Sequence, residues 1–134
     1  MRLRRIVFGS AVMVMALPFT SCKDDPASPG IQPEIVNSTD HFSYQVSNVQ
    51  NYTATLSYPW QNTGTQANVN QACAITGGTV TLVIVDGTGT QLYSRSLADN
   101  GTFTTSAGTA GTWTIRVVFD SASGTLNFRA DRTT

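Results

Sequence analysis

Few side chains in this 134-residue sequence can do chemistry, and their types and spacing narrow the kinds. There is one histidine, His41, and nucleophilic catalysis needs a base held by a second group. No serine, cysteine or aspartate signature stands around it. A metal centre needs several ligands at fixed offsets, whereas here the aspartates are scattered. The segment "DGTGT", residues 86–90, offers one carboxylate, Asp86, where a calcium loop needs several oxygens, so it reads as a hairpin turn. A carboxylate pair for glycoside hydrolysis finds no better support, because the aspartates fall at apparent turns or strand ends. No cofactor is implied, and a small hydrolase is the least supported reading. The best binding candidates are Tyr58, Trp60, Gln61 and Asn62 in "YPWQNTG", with Tyr93. Aromatic faces stack on sugar rings and amides bond hydroxyls. The competing placement has Trp60 capping the open end of the core.

Cys22 carries a different chemistry. Arg2, Arg4 and Arg5 precede an uncharged apolar run, Ile6 to Phe19. That run is short of the ~20 residues a membrane-spanning helix needs. A basic front and small residues behind it mark a secretory signal peptide, residues 1–21. The stretch "FTSC" then resembles the lipobox of bacterial lipoproteins. Ser21 and Thr20 supply the small residues before the cut, while Phe19 departs from the leucine preferred there. The resemblance implies that Cys22 becomes the first mature residue and is acylated. One acyl chain holds a protein at a membrane marginally, and two or more hold it durably. The adjoining "CKDD" resembles the surface-display signal of many lipoproteins of the Bacteroidota, and also reads as solvated tether. The expected location is the bacterial outer membrane, on its periplasmic face or at the cell surface.

Composition bounds the rest. From Cys22 onward five basic side chains stand against eight acidic ones, a net charge of −3. Nucleic-acid binding has no electrostatic footprint in such a chain. Cys73 is then a lone thiol, read as a small buried apolar group. Residues 22–39 hold Pro26, Pro29 and Pro33 and read as a tether, with Ile31, Ile35 and Val36 able to dock on the domain at its far end. Residues 40–134 provide that domain, with one core.

The elements that must position any site are set by period-two alternation. "HFSYQVS" puts Phe42, Tyr44 and Val46 on one face. "NYTATLSYPW" does so with Tyr52, Ala54, Leu56 and Tyr58, and Pro59 ends that strand or places it at an edge. A weaker strand is expected around Ala67 to Ala72. "TVTLVIV" is apolar enough for a central strand, "DGTG" turns it, and a return runs from about Thr90 to Leu97. After "TFTT" and a Gly-rich link, "TWTIRVVFD" and "TLNFRAD" alternate again, with "SASG" expected to turn the chain between them. Arg95, Arg116 and Arg129 are expected on outward faces. No helical stretch is present. The sum predicts an all-β fold, a single antiparallel β-sandwich of about seven or eight strands. Phe42, Tyr44, Tyr52, Trp113, Phe119 and Phe128 are its expected aromatic core.

The pieces "TLVIVDGTGTQLY", "GTWTIRV" and "GTLNF" give residues 79–131 a resemblance to the bacterial pre-peptidase C-terminal type of β-sandwich. The resemblance implies a non-catalytic module of the kind appended to secreted enzymes, though these 134 residues show no enzyme beside it. The expected role is a membrane-anchored binding or scaffolding module for an envelope protein complex. The alternative is a polysaccharide-binding module using the Trp60 loop.

Overall fold

The computed structural model describes residues 30–133, and within them the protein is all-β and antiparallel. The expected signal peptide, with Ser21, Cys22 and the first part of the expected tether, lies outside the described residues. The strands are β1 (Glu34–Ser38), β2 (His41–Asn62), β3 (Ala67–Gln71), β4 (Ala74–Val85), β5 (Gln91–Ser96), β6 (Gly101–Thr104) and β7 (Gly111–Arg132). The sandwich therefore starts before residue 40. β1 arises inside the expected tether because Ile31 is buried and Glu34–Ser38 pairs in register with His41–Gln45.

β2 and β7 have 22 residues each, too long for one flat sheet. Each bends sharply near its middle. Asn48 and Asn51 take positive φ in β2, Ser121 and Gly124 do so in β7, and the pairing register shifts there. Asparagine and glycine tolerate this left-handed backbone best. "SASG" and "SNVQN" are thus corners rather than hairpin turns. They carry each chain from one layer to the other, and the two halves of a strand do not pair with each other. The far ends of β2 come back together, with the Asp40 amide donating to the Gln61 carbonyl at 2.8 Å.

Two packed layers result. The first holds β1, the first half of β2, the second half of β7, β3 and β6. The second holds the second half of β2, the first half of β7, β4 and β5. Their inner faces obey the alternation read from sequence. Phe42, Tyr44, Phe128 and Leu126 from one layer meet Trp60, Trp113, Ile115, Phe119, Leu82 and Ile84 from the other, all essentially inaccessible. The Phe42 and Tyr44 rings lie 5.9 and 5.8 Å from Tyr58, across the interior. Tyr52 remains half-buried, edge-on to Phe119 at 5.0 Å.

Backbones pass so closely at the corners that a side chain has no room. A Cβ on Gly78, which has φ of 64°, would overlap the carbonyl of Ser121, and one on Gly124 would overlap that of Ala74. The β4–β5 hairpin is fixed differently. The Asp86 carboxylate accepts from the Thr88 amide and hydroxyl, the Thr90 amide and the Thr109 amide, at 2.7–3.0 Å. These bonds, the Thr88 hydroxyl foremost, hold its pKa down at about 2. They also tie the "DGTG" turn to the link before β7. Arg95 differs from expectation. It lies opposite Leu82 with inward parity, and its guanidinium sits 3.8 Å from the Phe103 ring centroid. Cys73 is buried, its sulfur between the amide and carbonyl of Asn127, and burial pushes the thiol's pKa up.

Candidate functional site

Four of the five candidate ligand residues lie together at the end of β2, and parity along that strand decides what each can do. Tyr58, Trp60 and Asn62 point inward; Gln61 points out. Trp60 is 1% exposed, which leaves no ring face for a sugar. It packs edge-on against Trp113, its register partner, with centroids 5.8 Å apart. Its Nε1–H donates to the Ser38 carbonyl at 3.1 Å, and that of Trp113 donates to Thr109 at 2.8 Å. Of the two placements the sequence offers for Trp60, this burial is that of the cap: the ring closes the end of the core and has no face free to stack on a sugar. Asn62, also fully buried, braces the loop to β3 by accepting from the Gly64 amide at 2.8 Å.

Tyr93 does not join them. It sits on β5, three strands across the second layer, and is 8% exposed. Its hydroxyl donates to Gln71 Oε1 at 2.6 Å. Gln71 donates in turn to the carbonyls of Ser96 and Asp99. This chain of bonds stitches β5 to β3 and uses the tyrosine structurally.

The surface around Gln61 remains open. A shallow polar depression is lined by Asn37, Ser38, Thr39, Pro59, Gln61 and Thr112, with Trp60 beneath. Asn37 Nδ2 donates to the Pro59 carbonyl at 2.7 Å, and the Thr112 hydroxyl donates to Gln61 Oε1 at 2.8 Å. Next to it, Asp40 accepts from the Thr63 amide at 2.7 Å and from Arg132 Nε at 3.0 Å. The Thr63 amide bond leads in holding the Asp40 carboxyl below its usual range. This knot joins the β1–β2 turn, the β2–β3 loop and the chain's last strand, so the depression has a rigid rim.

His41 has a partner that sequence reading missed. Asp131, its register mate on β7, places Oδ1 2.5 Å from His41 Nδ1. Both are about two-fifths exposed on the outer face of the first layer, and Arg129 lies 3.6 Å from the same carboxylate. An aspartate-oriented histidine is two-thirds of a nucleophilic constellation. Among the described residues, no hydroxyl or thiol is hydrogen-bonded to the ring. The Ser38 hydroxyl goes to the His41 backbone carbonyl instead. The local sequence gives no sign of Asp131, because only the β2–β7 register brings positions 41 and 131 together. No group of three or more His, Cys, Asp or Glu residues suited to a metal ion occurs among the described residues.

No family model matches the chain, and no curated protein matches it. The site's chemistry must be read from its own geometry. It offers a lining of uncharged amides and hydroxyls at one end of the sandwich, with the Asp40–Arg132 pair at its rim. That lining continues into the flank formed by β1 and the second half of β2. Along this flank Ile35, Tyr52, Leu56 and Tyr58 are only partly buried. The arrangement can hydrogen-bond and cover apolar surface.

Proposed function

We propose that the protein is an exported lipoprotein, anchored through acylated Cys22 to the bacterial outer membrane. Its β-sandwich then serves as a non-catalytic binding or scaffolding module for an envelope protein complex. The observation that carries this reading is the opposition of two ends. The chain enters the sandwich at Gly30, where a Cβ would stand 3.3 Å from the Tyr52 ring, beside the corners. The depression lies at the opposite end of the sandwich, where β2 finishes, eight residues beyond Tyr52 and about 26 Å away at the rise of a strand. A tether fixed at the first end presents the second to other envelope components.

The test places a photo-activated cross-linker at Gln61 or at Gln50 in the full chain, in cells, with and without Cys22→Ala. Acylation at Cys22, with a discrete protein adduct from Gln61 and none from Gln50, is the expected result. A processed chain with no acyl mass on Cys22 overturns the anchor. Equal labelling from both ends overturns the presented end.

A second reading, polysaccharide recognition, draws on the uncharged amide and hydroxyl lining of the same depression. It predicts glycan retention that Gln61→Ala abolishes without changing the melting temperature. Retention unaffected by that substitution removes it.

A further inference from the structure

The two layers are unequal. β1 extends the first layer one strand beyond β2, while the second layer stops at the second half of β2. Among the described residues, the second layer has no strand opposite β1. The margins of that position carry the marks of incomplete cover. Of the six partly buried apolar side chains packed on the core, four (Ile35, Tyr52, Leu56 and Tyr58) line this flank. The hydroxyls of Tyr44, register partner of Ile35, and of Tyr58 are both buried, and among the described residues each has only the other within reach.

From Tyr52 to Tyr58 β2 pairs only with β7 among the described residues, which leaves its other edge unpaired there. The window is bounded by positive-φ Asn51 on one side and by Pro59 on the other, where Asn37 caps the carbonyl. Natural edges are blunted by charge, by proline or by cover. From Tyr52 to Asn62 this one has no charged residue, and its proline stands only at the end of the window.

We propose that this edge takes an extended segment of a partner polypeptide by strand addition. The segment would alternate apolar side chains, facing Ile35, Ala54, Leu56 and Tyr58, with uncharged polar ones beside Thr53, Thr55 and Ser57. Backbone hydrogen bonds supply affinity in this mode, and alternate side chains supply specificity. The width of the vacancy selects the occupant. A second copy paired edge to edge would drive the first half of its own β2 into the space β1 already fills, because antiparallel pairing keeps both first layers on one side. The chain's own segment before Gly30 carries Pro26 and Pro29 at opposite parity, so one of them breaks a continuous ladder whichever way it faces. The inference deepens the proposed binding role by naming its partner's chemistry. The peptide-binding arm of its test uses neither membrane nor anchor, so failure there leaves that role to be judged separately.

The probe is a synthetic heptapeptide of alternating threonine and valine, added to the full chain and read by residue-resolved amide hydrogen exchange. Expected is a slowing of at least about tenfold at every second amide from Tyr52 to Tyr58, with β5 and β6 unchanged. A peptide with proline at its centre should give none of this. The Leu56→Lys variant should lose the slowing, and Ala54→Lys serves in its place if that variant melts early. No slowing, slowing at β5 or β6 instead, or equal slowing by the proline peptide overturns the proposal. So does a Thr55 photo-cross-link, made in cells, that joins to residues 22–29 or to a second copy.

Discussion

Trp60→Ala separates a structural tryptophan from a ligand-binding one. The side chain is 1% exposed, set edge-on against Trp113, and bonded through Nε1 to the Ser38 carbonyl. A buried tryptophan removes about 150–250 Å² from water, an upper limit of about 4–6 kcal/mol at ~25 cal/mol per Å². Truncation in cores costs about 3–5 kcal/mol in practice. Each kcal/mol lowers the melting temperature of a domain of this size by about 4–8 °C. The melting temperature should therefore fall by at least about 12 °C. Trp60→Phe keeps a ring against Trp113 but loses the Nε1 bond and some volume, and should cost about 1–2 kcal/mol. A double-mutant cycle with Trp113→Phe should return a coupling of about 0.5–1.5 kcal/mol. The assay is urea and thermal unfolding monitored by tryptophan fluorescence and far-UV circular dichroism. A Trp60→Ala protein melting within a few degrees of the parent would refute the reasoning, because no fully buried indole can be removed so cheaply.

Two further perturbations test the devices that shape the sandwich. The Asp86 pKa of about 2 lies below the ordinary value of 3.8. Its carboxylate therefore stabilises the fold fully above about pH 4 and loses that effect as pH falls towards about 2; unfolding titrations should show this fall in the parent and its absence in Asp86→Asn, whose melting temperature is already lower at pH 7. Gly78→Ala adds a positive-φ penalty of about 1–2 kcal/mol to overlap with the Ser121 carbonyl. Gly89→Ala has φ of 90° but nothing within 4 Å. Denaturant midpoints should rank Gly78→Ala well below Gly89→Ala, and equal midpoints would remove the close approach as a cause.

Alternation was legible because each strand has one face on a single core. Phe42, Tyr44 and Val46, then Val80, Leu82 and Ile84, then Ile115, Val117 and Phe119 are buried as their period predicts. Pro59 announced an edge, and the second half of β2 is one. What stayed hidden was non-local. Polar, glycine-bearing breaks such as "SASG" look the same whether the chain reverses or turns a corner into the other layer. The difference lies in whether the flanking halves pair with each other or with a third strand. Trp60 carried both meanings in sequence; its parity with Tyr58 and Leu56 favoured burial, and neighbouring amides suggested a ligand. The His41–Asp131 pair depends on a register that no local pattern encodes. β1 was obscured by Pro33 and by its place in a proline-rich stretch.

The same corners that hid the topology account for the open flank. β2 and β7 each give one segment to either layer, so they add equally to both. β3 and β6 complete the first layer, β4 and β5 the second, and to that point the layers match, four against four. Among the described strands β1 alone has no counterpart across the core. The half-buried Ile35, Leu56 and Tyr58 and the unblunted edge of β2 are one consequence, seen in side chains and in backbone. An extended segment opposite β1 would answer both together, its apolar side chains covering the first and its backbone pairing the second. Substitutions that merely improve solubility at the surface, on the outer faces of either layer, would answer neither.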